Sequence, residues 1–127
     1  MIDILIVEDD EILAELYKEI GEEMGLKCLI LNTTTQISAF MSSNLPFKIG
    51  IFDLNLGIIP LNGRYLLDIF KFKGYEFIPI VVSGEISDQD RENFHSKGIQ
   101  YIIHKPVSFE QFTHLLDTVR REKLQLT

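Results

Sequence analysis

The stretch Ile4–Asp10, which reads ILIVEDD, is a run of apolar residues that ends abruptly at three acids. Three further apolar runs end at a chemically distinctive side chain: Asp53 follows IGIF, Ser83 follows IPIVV and Lys105 follows YIIH. In an open α/β sheet of parallel strands, ligands bind at the carboxyl ends of the strands, where the strand order reverses. Carboxylates, a hydroxyl and an ammonium group at that edge suggest a site for a divalent cation and a phosphoryl group.

Five apolar runs are predicted to form strands, and amphipathic helical patterns separate them. The runs are Ile2–Val7, Lys27–Leu31, Phe47–Leu54, Ile78–Val82 and Tyr101–His104. Their near-continuous apolar character is typical of parallel strands that are buried on both faces. Successive strand–helix units imply crossover connections between parallel strands. The sequence therefore predicts a single α/β domain over residues 1–127, with a five-stranded parallel sheet and helices on both faces.

Spacings of three and four residues between apolar side chains predict which residues of the helices face inward. In chain order these are Ile12, Leu13, Leu16, Ile20, Met24, Ile37, Phe40, Met41, Leu66, Leu67, Ile69, Phe70, Phe94, Phe109, Phe112, Leu116 and Val119. Thr34 or Thr35 is the predicted N-cap of the second helix, and Ser87 that of the fourth. Ser108 caps the fifth helix, where Gln111 completes the capping-box pattern.

Composition excludes several classes of protein. The net charge of −7, from 19 acidic and 12 basic residues, argues against binding to nucleic acid or to anionic membrane surfaces. The single cysteine, Cys28, excludes a disulfide framework and is expected to be a small core residue in a reducing compartment. No stretch reaches the roughly 20 apolar residues of a membrane span, and Met1–Asp3 begins no basic secretion signal. We therefore expect a cytoplasmic protein without membrane insertion.

Four short segments, in their order along the chain, resemble the landmarks of the response-regulator receiver domain. They are IVEDD at 6–10, DLNL at 53–56, SG at 83–84 and KP at 105–106, and the similarity extends over essentially the whole chain. The resemblance, which is to stand-alone regulators of the chemotaxis type, implies the flavodoxin-like strand order 2-1-3-4-5. It also implies a phosphoprotein of two-component or phosphorelay signalling, phosphorylated by a histidine kinase or histidine phosphotransfer protein. Such a domain signals by docking onto a downstream protein and catalyses only its own phosphorylation and dephosphorylation.

The resemblance assigns the phosphoacceptor and a Mg²⁺ site. Asp53 matches the carboxylate nucleophile that takes the phosphoryl group. Glu8 and Asp9 match the acidic pair that binds Mg²⁺ together with Asp53, and Asn55 matches the residue whose backbone carbonyl completes the coordination. Three carboxylates in a small volume repel one another, and a hard cation that prefers oxygen ligands relieves that repulsion.

The remaining landmarks match groups that would contact the phosphoryl group. Lys105 matches a catalytic lysine that supplies a positive charge to a phosphoryl oxygen. Ser83 matches a catalytic residue whose hydroxyl reorients towards the phosphoryl group. Gly84 would leave space for the phosphoryl group and offer its backbone N–H. The peptide bond before Pro106 matches a cis bond in the family.

Two positions flank the line along which water would attack the acyl phosphate. By resemblance these are Asn55 and Glu85, the combination found in chemotaxis-type regulators with short-lived phosphoryl groups. Both side chains can orient a water molecule, so we expect a lifetime of seconds to a few minutes.

The chain departs from the family pattern in two places. The loop 55–63 is longer and more apolar than usual, with Gly57 where proline is common, and it either covers the core or contacts a partner. The usual aromatic switch position of the fifth strand is Ile102, while Tyr101 is on the opposite face. An aromatic rotamer switch is therefore in doubt.

The sequence is also compared with three competing hypotheses. A pseudo-receiver that docks without phosphotransfer would not need the complete set of acids, hydroxyl and lysine. A phosphatase of the dehalogenase type would need a second aspartate where Asn55 stands, and a flavodoxin would need a loop without acids after the first strand.

Asp10 and Glu11, the two acids that follow Asp9, are interpreted as structural residues at the start of the first helix. The three histidines are interpreted as surface residues that form no ligand set.

Overall fold

The computed structural model describes residues 1–54 and 63–124, in which strands and helices alternate along the chain. The strands are β1 (Ile2–Val7), β2 (Cys28–Leu31), β3 (Phe47–Asp53), β4 (Ile78–Ser83) and β5 (Tyr101–His104). The helices are α1 (Glu11–Glu23), α2 (Thr34–Ser43), α3 (Gly63–Phe72), α4 (Asp88–Ser96) and α5 (Phe109–Val119), followed by a π-helical turn over Arg120–Leu124. Every predicted strand and helix is present, with ends that differ by a few residues at most.

The sheet is parallel throughout and has the order β2-β1-β3-β4-β5. This confirms the predicted flavodoxin-like fold. At the carboxyl edge, Val7 of β1 is paired with Phe52 of β3, and Ser83 of β4 with His104 of β5. The residues that follow β1, β3, β4 and β5 are therefore brought to one edge of the sheet.

Two apolar layers cover the two faces of the sheet. On one face, α1 and α5 pack against alternate strand residues such as Ile4 and Ile6. On the other face, α2, α3 and α4 pack against Leu5 and Val7. The alternation arises because successive side chains of a strand point to opposite faces. Helices therefore lie on both faces, as predicted.

Two residues that were predicted to face inward are exposed. Ile12 is 83% exposed and Phe109 is 51% exposed. The buried stripe of α1 consists instead of Ala14, Tyr17, Ile20 and Gly21, whose spacings of three and four residues define one helix face. Ile12 and Phe109 lie in or beside the first turn of their helices, where an apolar side chain can satisfy the spacing pattern without meeting the sheet.

The helix caps follow the sequence with one correction. Ser87 and Ser108 cap α4 and α5, each with a capping box. The N-cap of α2 is Thr33 rather than Thr34 or Thr35, because the Thr33 hydroxyl accepts a hydrogen bond from the backbone N–H of Gln36. Asp10 caps α1 by accepting from two backbone N–H groups of the first turn, which gives it the structural role expected from the sequence.

An aromatic cluster packs over the middle of β3. The Phe47 and Phe77 rings lie 4.8 Å apart between centroids, and the Phe52 and Phe70 rings lie 5.6 Å apart. Gly50 lies under this cluster, since a Cβ atom there would come within 2.6 Å of Phe52 Cε2. The rings hold the strand that carries Asp53 against α3.

Cys28 is only partly buried, at the edge of the sheet, rather than fully in the core. It packs beside Gly21, and burial raises the pKa of its thiol to about 11. It is a free thiol with a packing role. None of the helices within residues 1–54 and 63–124 is long and apolar enough to cross a membrane.

Candidate functional site

A cluster of three carboxylates lies at the carboxyl edge of the sheet, where β1 and β3 are neighbours. Glu8 and Asp9 directly follow β1, and Asp53 is the last residue of β3. One oxygen from each of these side chains lies within 4.8 Å of the others. Glu8 is fully buried and Asp53 is 2% exposed, so water screens their mutual repulsion poorly.

Lys105 supplies a positive charge to this cluster. Its Nζ atom donates a hydrogen bond of 2.9 Å to Asp53 Oδ2 and lies 3.7 Å from Glu8 Oε1. The backbone N–H of Lys105 donates to the carbonyl of Ser83 at 2.8 Å, which joins the ends of β4 and β5. The peptide bond between Lys105 and Pro106 is cis, the isomer that the resemblance implies. The lysine is therefore held over the Asp53 carboxylate.

The environment of Glu8 favours the protonated carboxyl group. Burial raises the pKa of Glu8 to about 8, helped by the hydrogen bond and the negative charge of Asp53. The charge of Lys105 and the backbone N–H of Asp10 act in the opposite direction but do not outweigh burial. Near neutral pH, the metal-free cluster therefore retains a proton on Glu8, which reduces the repulsion between the buried acids.

The environment of Lys105 also favours the protonated form, which for this residue is the charged one. Partial burial lowers the pKa of the ammonium group, but the hydrogen bond to Asp53 and the charges of Glu8, Asp53 and Asp9 raise it above its ordinary value. Lys105 is therefore a permanent cation in this site at physiological pH.

Ser83, Gly84 and Glu85 lie side by side at the end of β4. The Ser83 side chain is 1% exposed, and its hydroxyl donates to the backbone carbonyl of Glu85 at 3.0 Å. The same oxygen accepts from the backbone N–H of Glu85 at 3.3 Å. The Glu85 side chain itself is exposed, and Gly84 is partly buried. The hydroxyl is thus turned towards its own loop in this structure.

Several predicted residues have other positions or fall outside the described structure. Asn55 and the loop 55–62 lie outside the described residues. Tyr101 packs in the α1–α5 layer, while Ile102 packs in the opposite layer. Tyr101 therefore cannot take the place of the aromatic switch residue that the family usually has at the position of Ile102. All three histidines are exposed and lie outside the carboxylate cluster.

Sequence reasoning did not identify Tyr17, a fully buried residue of α1. Burial raises the pKa of its hydroxyl above the ordinary value, and the carboxylates of Glu8, Asp53 and Asp10 raise it further. The hydroxyl is therefore in the electrostatic field of the cluster. The sequence carried one signal for this residue: Tyr17 lies four residues after Leu13 in a helical stripe that is otherwise apolar. A hydroxyl buried in such a stripe requires a polar partner.

The donor set fits Mg²⁺. Within residues 1–54 and 63–124, Glu8, Asp9 and Asp53 are the one group of three or more acidic, histidine or cysteine side chains arranged to hold a metal ion. Carboxylate oxygens are the ligands that this cation prefers. Glu8 Oε1 is also buried without a hydrogen-bond partner among the described residues, as expected for an oxygen whose partner is an ion or its hydration shell.

Comparison with known proteins agrees with this geometry. Residues 4–117 match the family model of the response regulator receiver domain. The non-phosphorylated HemR receiver domain of Leptospira biflexa is 27% identical, with a TM-score of 0.79 over 100% of this chain and 97% of that chain. A CheY-like receiver domain protein of Methanospirillum hungatei is 27% identical, with a TM-score of 0.72 over 96% of this chain and 93% of that chain.

A third solved structure shares the fold at lower identity. The receiver domain of a putative LuxO repressor protein of Vibrio parahaemolyticus is 23% identical, with a TM-score of 0.78 over 97% of this chain and 93% of that chain. No curated protein matches the sequence significantly.

Proposed function

Because the chain belongs to the response-regulator receiver family, we propose that it accepts a phosphoryl group on Asp53 in two-component or phosphorelay signalling. The donor would be a phosphohistidine of a histidine kinase or of a histidine phosphotransfer protein. Residues 1–127 would form one receiver domain that signals by docking onto a downstream protein. The observation that carries this proposal is the cluster of two buried carboxylates, Glu8 and Asp53, and the partly buried Asp9, with Lys105 Nζ 2.9 Å from Asp53 Oδ2.

Asp53 would be the nucleophile. An oxygen of its carboxylate would attack phosphorus in line with the bond to the histidine nitrogen, so that a P–O bond forms and the P–N bond breaks. The leaving imidazole would keep the bonding electron pair and take up a proton. The burial of Asp53 at the end of β3 supports this role, because a fixed and poorly hydrated carboxylate is already oriented for attack.

Glu8, Asp9 and Asp53 would hold Mg²⁺, with the backbone carbonyl of Asn55 as a further ligand. When bound, Mg²⁺ would offset the repulsion of the carboxylates and the negative charge on the phosphoryl oxygens. Binding requires Glu8 to lose the proton that the metal-free cluster favours.

Lys105, Ser83 and Gly84 would receive the phosphoryl group. The Lys105 ammonium group, now bonded to Asp53 Oδ2, would transfer its hydrogen bond to a phosphoryl oxygen. The Ser83 hydroxyl would exchange its bond to the Glu85 carbonyl for a bond to another phosphoryl oxygen. The Gly84 N–H would be a third donor, and Asn55 and Glu85 would flank the path of the hydrolytic water.

Phosphorylation by acetyl phosphate tests the proposal directly. The wild-type chain incubated with acetyl phosphate and Mg²⁺ should gain the mass of one phosphoryl group, measured by intact-protein mass spectrometry. Asp53→Asn should abolish this gain, because the amide is not a nucleophile for phosphorus. Removal of Mg²⁺ with EDTA should suppress labelling of the wild-type chain.

Asp10→Asn is a matched control, because it also removes one carboxylate from the acidic triplet. Asparagine caps a helix as well as aspartate does, so α1 should remain intact and labelling should persist. If the wild-type chain shows no Mg²⁺-dependent labelling, the protein is a docking module without phosphotransfer. If Asp53→Asn is still labelled, another residue is the acceptor.

A further inference from the structure

The hydroxyl of Tyr17 is a buried donor without a partner among the residues that the structure describes. The residue is fully buried, and its oxygen has no hydrogen bond to any residue that the structure describes. Its ring packs on Phe112 of α5, with 4.7 Å between the ring centroids. A phenylalanine would fill the same space without the cost of desolvating a hydroxyl. Packing alone therefore does not explain a tyrosine at this position.

A complementary acceptor occurs in the carboxylate cluster. Glu8 Oε2 accepts from the backbone N–H of Asp10 at 3.3 Å, whereas the buried Oε1 atom has no hydrogen bond within the described ranges. Lys105 Nζ forms an ion pair with Oε1 at 3.7 Å. This distance is too long for a hydrogen bond. Among the described residues, one buried donor and one buried acceptor are thus without a hydrogen bond, and both belong to the α1 side of the sheet.

The geometry of α1 directs the tyrosine towards this acceptor. Long side chains of an α-helix lean towards its N-terminus, and α1 begins at Glu11, three residues after Glu8. Ile6, two residues before Glu8 on the same face of β1, and Tyr17 belong to the same core layer. The carboxylates of Glu8, Asp53 and Asp10 all raise the pKa of the Tyr17 hydroxyl, in agreement with this placement. Since the pKa is raised, the phenol remains protonated and can donate a hydrogen bond.

We propose that Tyr17 is a positioning residue for the Mg²⁺ site. The two atoms do not bond to each other in the structure described, so the hydroxyl would donate to Glu8 Oε1 through one water molecule or, once Mg²⁺ is bound, directly. This rests on the proposed function, because it presupposes that Glu8 is ionised when Mg²⁺ is bound. The hydrogen bond stabilises the ionised carboxylate and fixes its rotamer, so that Glu8 is oriented before the cation arrives. Groups that orient metal ligands in this way commonly change metal affinity by about 10- to 100-fold.

Calorimetric titration with MgCl₂ tests this role without any phosphotransfer. Tyr17→Phe keeps the ring on Phe112 and removes only the donor, so the Mg²⁺ dissociation constant should rise roughly tenfold. Tyr101→Phe is the matched control, because the Tyr101 hydroxyl donates to Glu122 at 3.3 Å in the C-terminal turn. Its Mg²⁺ affinity should equal that of the wild-type chain.

The outcomes separate the two proposals. If the wild-type chain and Tyr101→Phe bind Mg²⁺ and Tyr17→Phe binds it equally well, the role of Tyr17 is refuted and the metal site stands. If the wild-type chain does not bind Mg²⁺, both the metal site and the role of Tyr17 are refuted.

A crystal structure of the Mg²⁺-bound wild-type chain provides a second measurement that does not depend on the folding of a variant. It should show the Tyr17 hydroxyl within hydrogen-bond distance of Glu8 Oε1 or of a water molecule bonded to it. Absence of both contacts would overturn the inference.

Discussion

Raising the pH of the metal-free protein should lower its free energy of unfolding, because the native state keeps a proton on Glu8. The pKa of this buried carboxyl is raised from 4.5 to about 8. Between these values the native state binds more protons than the unfolded state, and stability then falls as pH rises. The stabilising contribution is fully present below the unfolded pKa and is lost as the pH rises through the folded pKa.

The size of the effect follows from the two pKa values of Glu8. Each pKa unit corresponds to about 1.4 kcal/mol, so the shift from 4.5 to about 8 contributes about 5 kcal/mol at low pH. Of this, about 3 to 4 kcal/mol is lost between about pH 5 and about pH 8, where Glu8 of the native state is half ionised. For a domain of this size, that loss lowers the melting temperature by on the order of 10 °C.

Urea denaturation followed by circular dichroism, in EDTA and at a series of pH values, measures this dependence. Glu8→Gln is the reference, because the amide resembles the protonated acid and cannot ionise. The difference in unfolding free energy between the two proteins isolates Glu8 from all other titrating groups. Mg²⁺ added at the upper end of the range should restore stability to the wild-type chain, since it binds only the folded site. Parallel pH curves for the two proteins would refute the reasoning.

Two further predictions concern packing and phosphoryl lifetime. Gly50→Ala should lower the unfolding free energy by about 1–3 kcal/mol, because the added Cβ atom would come within 2.6 Å of the Phe52 ring. An unchanged midpoint of urea denaturation would contradict this and show that the aromatic cluster can rearrange freely. Glu85→Leu should lengthen the lifetime of the acyl phosphate, which should be seconds to a few minutes in the wild-type chain, because leucine cannot orient a hydrolytic water. Loss of the phosphoryl-group mass over time measures this, and a wild-type half-life of hours would contradict the prediction while leaving the family assignment intact.

The sequence by itself determined the order and type of the strands and helices and the residues at the strand ends. The apolar runs reflect burial on both faces of a parallel sheet, and the caps at Ser87 and Ser108 depend on local hydrogen bonds. The sequence alone is enough to group Glu8, Asp9, Asp53 and Lys105, because parallel strands place their carboxyl ends at one edge.

Only the tertiary structure decided which groups of the site contact one another and in what state of charge. The inward spacing pattern did not distinguish the exposed Ile12 from the buried Tyr17, since burial depends on where α1 crosses the sheet. The raised pKa of Glu8 depends on burial and on Asp53, a residue 45 positions away in the chain. Long-range desolvation and charge are properties of the packed molecule, and local sequence patterns do not encode them.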